Sequence, residues 1–270
     1  MKEETVIQNT KDPLTKEDLK MFLREIGIRN DDTLVVHTAL SKLGFVIGGA
    51  QSVIEALLET LDKGTLVMPS HSGDLSNPED FENPPVPEAW IDTMKAHMPP
   101  FNPETTPTRG MGKVASQFMA MKDTKRSYHP QVSFCAQGVN AETIIEDHAL
   151  TPMFGMKSPL GRVYDLGGKI MMLGAPLSSC SAFHVSEVLS EWVGKKKEES
   201  PIIRDGEREW VTFEDYDYDD DDFLKIGDAL RNEGLIQSFP LGLGEVHLME
   251  ARAVIDRGAT LIRQMRKQSA

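Results

Sequence analysis

Cysteine is nearly absent: Cys135 and Cys180 are the two in a chain of 270 residues. No disulfide framework can be built on so few, and a reducing cytoplasm is the expected compartment. Long apolar runs are missing too. No stretch of about 18 apolar residues exists to span a membrane. Met1 to Pro13 is polar and charged, so neither a signal peptide nor a lipid anchor is read there. Positive charge is scarce, with 29 Lys and Arg against 42 Asp and Glu, a net charge of −13. That sets aside nucleic acid and anionic membrane as partners. Small molecules remain, cationic ones included. Signature motifs are also missing. No G-x-G-x-x-G follows the first strand, and there is no G-x-x-x-x-G-K-[ST] or G-x-S-x-G, which argues against dinucleotide, P-loop and serine-elbow chemistry. No His-Glu-x-x-His pair is present, and no metal is expected.

What is present is alternation. With 40% hydrophobic residues the chain can build one large core, and we read residues 1–270 as a single domain. Residues 1–12 read as a flexible arm. Thr15 opens a capping box into an amphipathic helix carrying Leu19, Phe22 and Leu23. Thr33 to Val36 is a short strand, Ala50 to Leu61 a helix and Thr65 to Met68 a strand, which together make a β-α-β unit. Residues 71–109 are rich in proline and too long for a simple connection, so they read as a lid or excursion. Residues 195–250 read as a mixed extension, in which Ile202 to Phe213 is a hairpin turning at Asp205-Gly206. Lys195 to Lys197 reads as the cap of a preceding helix. A last helix runs from Leu248 to Arg266. The expected fold is α/β, a central mostly parallel sheet flanked by helices with a mixed α+β C-terminal extension.

The stretch from Gly167 to Glu187 is where chemistry is expected. Lys169 to Leu173 is a buried strand, Pro176 to Ser179 a polar loop, and a helix starts near Ser181. His184 and Glu187 are three apart, so they share a helical face, and a carboxylate beside an imidazole orients it and raises its basicity. His-x-x-Glu pairs are also common as solvated or structural pairs. Free N–H groups are expected at the helix start.

Several polar loops sit at strand ends. Val36-His37-Thr38-Ala39-Leu40-Ser41-Lys42-Leu43-Gly44 with Gly48-Gly49 is the first. Gly64 to Pro69, Phe101-Asn102-Pro103, Thr106-Pro107, Arg126-Ser127-Tyr128-His129-Pro130, Ser133-Phe134 and Ser158-Pro159-Leu160 follow in order, then Leu173-Gly174 with His184 and Glu187. Together, over about residues 33–255, this set resembles the aminoglycoside 3-N-acetyltransferases, a family distinct from the GNAT acetyltransferases in fold and motif.

The resemblance implies acetyl-CoA as donor, the 3-amino group of a 2-deoxystreptamine antibiotic as acceptor, and direct transfer. The family's catalytic histidine matches His184, with Glu187 as its partner. A family threonine is Ser181 here, which keeps the hydroxyl, and a family asparagine is Cys180. Pantetheine is expected along His37, Thr38, Ala39, Ser41 and Ser70, with Lys42 or Arg126 on the phosphates and His129 lining the same channel. Asp217 in the acidic run, and Asp74 and Glu82 in the excursion, are candidates for the cationic acceptor. For each of these loop residues a capping or packing role is the alternative.

Three rivals remain at this stage. Cys180 and His184 could form a thiolate pair and an acyl-cysteine. His184, Glu187 and His71 or His129 could hold a hydrolytic metal. The chain could also be a non-catalytic CoA-binding relative. Monomer and homodimer read alike.

Overall fold

The centre of the molecule is a pair of strand ends. β1 (Thr33–Thr38) runs parallel to β2 (Thr65–Pro69) on one side and to β5 (Lys169–Leu173) on the other. All three are almost wholly buried, as the unbroken Val, Leu and Met runs require of strands covered on both faces. β1 is two residues longer than its apolar run, because Ala39 N–H donates to Leu173 O at 3.0 Å and keeps the ladder going. His37 and Thr38 therefore lie in the strand and not in the loop.

The computed structural model describes residues 3–82 and 84–269, the last two by backbone alone. The parallel centre is the inner part of a mixed sheet of seven strands. β4 (Phe134–Gly138) and the short β3 (Lys125–Arg126) extend it antiparallel beyond β2. β9 (Gly244–Glu250) and β8 (Ile236–Leu241) extend it beyond β5. Residues 195–250 are thus not one extension. β6 (Lys195–Arg204) and β7 (Glu207–Tyr216) form a separate hairpin, whereas β8 and β9 belong to the main sheet. Lys195 to Lys197 start β6 rather than cap a helix, and Lys195 and Lys196 pair with Glu214, Glu198 and Asp217. The hairpin turns at Asp205 and Gly206, both at positive φ (52° and 84°), the backbone that a two-residue hairpin turn demands.

Strand alternation divides the core. Leu34 and Val36 face a layer of α2 (Lys16–Glu25), α3 (Gly49–Thr60) and α5 (Gly112–Met119). Val35, Ile170 and Met172 face α6 (Ala141–Ile145), α7 (Pro159–Asp165), α8 (Ala182–Ser190), α9 (Phe223–Asn232) and α10 (Ala251–Ser269).

The expected N-terminal arm contains a helix, α1 (Glu3–Asn9). Val6 is buried, and the Thr10 hydroxyl ties the helix end to Phe45 N–H at 2.9 Å. The proline-rich excursion carries short 3-10 turns and α4 (Ile91–His97). It is fastened down: Phe101 is fully buried, its N–H donates to Pro201 O at 3.0 Å, and Arg208 reaches back to the carbonyls of Lys95 and Met98.

Candidate active site

β5 ends at Leu173, and a 3-10 turn over Leu177–Ser179 delivers the chain into α8. On the first turns of α8, His184 Nδ1 and Glu187 Oε2 lie 2.6 Å apart. Glu187 is fully buried. A buried carboxylate must be compensated, and every side of this one is. Its Oε1 accepts from Asp219 N–H at 3.0 Å and from Arg266 Nη1 at 2.7 Å. The imidazole is walled by rings. Phe154 stacks on it with centroids 4.6 Å apart, Tyr218 meets it edge-on at 5.3 Å, and Phe223 lies at 4.8 Å. With Nδ1 committed to Glu187, Nε2 is the nitrogen left for a reaction.

The rings are themselves positioned. Met153 N–H donates to the buried Asp215 Oδ2 at 2.7 Å, and the Tyr218 hydroxyl lies 3.4 Å from Phe154 N and 3.3 Å from Asp215 Oδ1. Burial and the neighbouring Asp215 push the Tyr218 phenol well above its usual range, so it stays neutral. The end of β7 therefore sets the plane that covers His184.

Two further imidazoles reach the same region. His37 is buried and its Nε2 has no hydrogen-bond partner among the described residues. Burial, then the field of His184, lowers its pKa to about 4. His71 Nε2 is likewise enclosed without a partner, and burial, then His37 and His184, bring its pKa down to about 3. Both are neutral near pH 7, so neither repels a proton arriving on His184.

At the strand ends is a cavity of about 1100 Å³, whose wall includes neither His184 nor Glu187. Thr38, Ala39 and Ser41 line it, with Gly48 and Gly49 at the start of α3 and Gly110 to Lys113 at the start of α5. The geometry follows from register. Thr38 pairs with Leu173, so the loop after β1 and the loop after β5 leave the sheet side by side. Ligands of open α/β sheets bind at such carboxyl ends. Gly48 (φ 80°) takes a left-handed backbone, and a Cβ there would lie 2.2 Å from the Ser52 hydroxyl.

Of the residues singled out in the sequence, Thr38, Ala39 and Ser41 lie on this cavity, His184 and Glu187 lie together on α8, and Ser181 is the residue just before it. His37 is buried in β1 and is not on the cavity wall. The others are placed differently. Ser70 is buried, with its hydroxyl 3.2 Å from that of Ser133. Arg126 is spent on structure: it bonds Ser133 Oγ (2.9 Å), Ser70 O (2.7 Å) and Thr106 O, and lies over the Phe101 ring at 5.0 Å. It is not free for phosphates. His129 does not line a channel. Its Nδ1 accepts from Gln131 and Val132 N–H, its Nε2 faces Leu150 O, and burial holds it neutral. Lys42 is exposed but lies off the cavity wall. The cation on that wall is Lys113, which sequence reasoning missed. Its signal was Gly110-Met111-Gly112-Lys113, a glycine-lysine turn opening a helix.

The acidic candidates are already partnered. Asp74 pairs with Arg109, in a separate cavity of about 260 Å³ that also holds Glu82. Asp217 lies 3.6 Å from Lys196. The free N–H groups expected at the start of α8 are also taken. Phe183 and His184 N–H donate to Cys180 O and Ser181 O at 3.0 and 3.1 Å, and Ala182 and Phe183 N–H also reach the Cys180 sulfur. Ser181, the residue that precedes α8, makes no capping hydrogen bond with its hydroxyl.

Two rivals weaken. Cys180 is fully buried, and burial pushes its thiol up to about 12, so a thiolate is not available near pH 7. The one group of His, Cys, Asp or Glu among the described residues compact enough to share an ion is Asp219, Asp220 and Asp221, all exposed. His71, His129, His184 and Glu187 form no such group. Among the described residues no helix is long and apolar enough to cross a membrane.

Comparison with known proteins gives one answer. The family model for aminoglycoside 3-N-acetyltransferase matches residues 35–263. The aminoglycoside N(3')-acetyltransferase-like protein YokD of Bacillus subtilis is 34% identical over 253 residues, covering 93% of each chain. Its crystal structure superposes with a TM-score of 0.96 over 98% of this chain and 99% of that one. Aminoglycoside N(3)-acetyltransferase VII of Streptomyces paromomycinus is 32% identical, covering 96% of this chain and 94% of its own. AAC-IIIb, solved as a binary complex with CoASH, is 27% identical with a TM-score of 0.83 over 94% of this chain and 97% of that one.

Proposed function

The chain belongs to the aminoglycoside 3-N-acetyltransferase family, and from that premise we propose that it transfers the acetyl group of acetyl-CoA directly to the 3-amino group of a 2-deoxystreptamine aminoglycoside, in the cytoplasm. The observation that carries this reading is the 2.6 Å contact between His184 Nδ1 and the buried Glu187.

The chemistry follows from it. An aminoglycoside amine is largely protonated near pH 7 and must lose a proton before it can attack a thioester. His184 Nε2 accepts that proton, and Glu187 holds the ring and stabilises the imidazolium that forms. Negative charge grows on the thioester oxygen as the amine attacks, and the Ser181 hydroxyl serves as its donor. One such donor is worth about 3 kcal/mol. As the adduct collapses the C–S bond breaks, and the CoA thiolate leaves and takes up the second proton that the former amine gives up in becoming an amide. The cavity beside Thr38, Ala39 and Ser41 supports a long, flexible donor, as does a relative that binds CoASH. Lys113 on its wall supports a phosphate-bearing one. For the acceptor, support comes from the acidic turn 219–222, whose first N–H bonds Glu187 itself.

Free-thiol release from acetyl-CoA over a panel of 2-deoxystreptamine aminoglycosides tests this, with His184→Ala as control. Acceptor-dependent release, lost in the variant, is expected. Release with other amines and none with aminoglycosides would move the acceptor. No release, with wild-type CoA binding and an unchanged cellular role in His184→Ala, would leave a binding protein.

A further inference from the structure

Arg266 reaches the dyad from α10, 79 residues beyond Glu187 and past the end of the family match at residue 263. Its Nη1 donates to Glu187 Oε1 at 2.7 Å. The other donors anchor it: Nε and Nη2 grip Asp222 at 2.9 and 3.0 Å, and Nη2 also reaches Asp219 O at 2.7 Å. The fork is thus fixed on one side by the acidic turn and aimed on the other at the carboxylate oxygen that His184 does not use. We propose that Arg266 is a positioning residue: it keeps the buried Glu187 carboxylate ionised and oriented, and so sets how tightly the His184–Glu187 pair holds a proton. This rests on the reading of His184 as the base.

The physical argument is one of charge. Glu187 is fully buried, and a buried carboxylate without a cation takes up a proton and loses its charge. Among the described residues Arg266 is the guanidinium or ammonium in contact with it. Burial works against the guanidinium, but its bonds to Asp222 and Glu187 outweigh this and hold it protonated more firmly than usual. Arg fits this role where Lys does not, because a planar fork can span Glu187, Asp222 and a carbonyl at once.

The other groups facing the pair do not replace it. From the β7 end come Tyr218, which is neutral, and Asp215, which accepts from Met153 and Tyr216 N–H. From the acidic turn come the carboxylates of Asp219 and Asp222. From β1 comes His37 and from the turn after β2 comes His71, both neutral. Arg263, also on α10, is committed to the carbonyls of Ser190 and Leu189. Removing Arg266 therefore leaves Glu187 and Asp222 without a cation between them. Whichever member of the pair takes the proton, their joint affinity for it rises.

The test is an NMR titration of the His184 ring in the substrate-free protein, assigned with His184→Ala, alongside the pH profile of kcat/KM. In Arg266→Gln the His184 midpoint and the acidic limb are expected to move up together by about one pH unit, the scale of one charge at close range in a partly wet site. On the acidic limb kcat falls by up to about tenfold, the fold-change of a one-unit shift, while KM for acetyl-CoA moves less than about threefold. An unshifted midpoint in a folded Arg266→Gln protein overturns the proposal. If that variant does not fold, Arg266→Lys carries the test: a kcat loss at unchanged KM supports it, and wild-type kcat with a wild-type titration overturns it. The titration needs no substrate. A shift in a protein that acetylates nothing would uphold Arg266 and sink the acetyl-transfer reading, and an active enzyme with no shift would do the reverse.

Discussion

Phe154 lies flat against His184, with ring centroids 4.6 Å apart and planes 24° from parallel. The two come from different parts of the chain. Phe154 is held by a loop that leans on Asp215 and Tyr218, and His184 is held by α8 and Glu187. The stack closes one face of the imidazole to water and fixes the plane in which Nε2 points. It is a contact to the proposed base.

Phe154→Leu should therefore act on turnover more than on binding. An aromatic pair is worth about 1 kcal/mol beyond its buried area, so kcat is expected to fall roughly three- to tenfold. KM for both substrates should change little. Steady-state kinetics separate the cases. A rise in KM for acetyl-CoA at constant kcat would mean that Phe154 touches the donor instead of orienting the base.

The dyad was legible in the sequence because its two residues are three apart on one helix, and spacing alone brings them together. β1, β2 and β5 were legible because strands buried on both faces read as apolar runs. The outer strands were not, since β8 and β9 read equally well as a separate extension, and only pairing with β5 decides. Arg126, Ser70 and His129 looked like ligand residues because they are polar and sit at strand ends. They turn inward because those loops also pack on each other, and burial makes each polar atom find a partner. Lys113 went unread because the cavity is closed by α5, which comes back to the strand ends only after the proline-rich excursion. Arg266 could not be read at all, since nothing in its own sequence neighbourhood points to Glu187.

Lys113 should report on the donor. It is an exposed cation on the wall of the larger cavity, beside the start of α5. A single exposed charge contributes about 1 kcal/mol at most, so Lys113→Ala should raise KM for acetyl-CoA roughly two- to fivefold and leave kcat near wild type. Added salt screens the same interaction. The gap between wild type and variant should therefore narrow as ionic strength rises. Equal KM values at low salt would take the phosphates elsewhere.

Cys180 should be dispensable for chemistry. Its sulfur is buried, its pKa is pushed up to about 12 by that burial, and two backbone N–H groups already point at it. Cys180→Ala is expected to keep turnover within a few-fold. Intact-mass measurement after incubation with acetyl-CoA alone should find no acetyl adduct on the wild-type chain. An adduct that disappears in Cys180→Ala would replace direct transfer by a two-step route through the thiol.

Acid should unfold this protein early, and through its histidines. His37, His71 and His148 have pKa values lowered by burial from 6.5 to about 4, 3 and 4, and His129 is also driven well below 6.5. The unfolded chain protonates these imidazoles as pH drops through 6.5, while the folded chain does not. The unfolded state then binds more protons, so stability falls as pH falls. Above pH 6.5 all four are neutral in both states and cost nothing. Below it, each takes away up to ~1.4 kcal/mol per pH unit, until the folded pKa near 4 is reached for His37 and His148. A thermal melting temperature that is flat above pH 7 and drops steeply between pH 6 and 4.5 is the expected profile. His148→Gln removes one titrating group along with its bonds to Ser127 and Met153. It should lower the plateau but make the acid slope shallower, two effects that a purely packing role for His148 would not combine. A melting temperature that stays level down to pH 4.5 would mean that these imidazoles are protonated and paired in the folded protein.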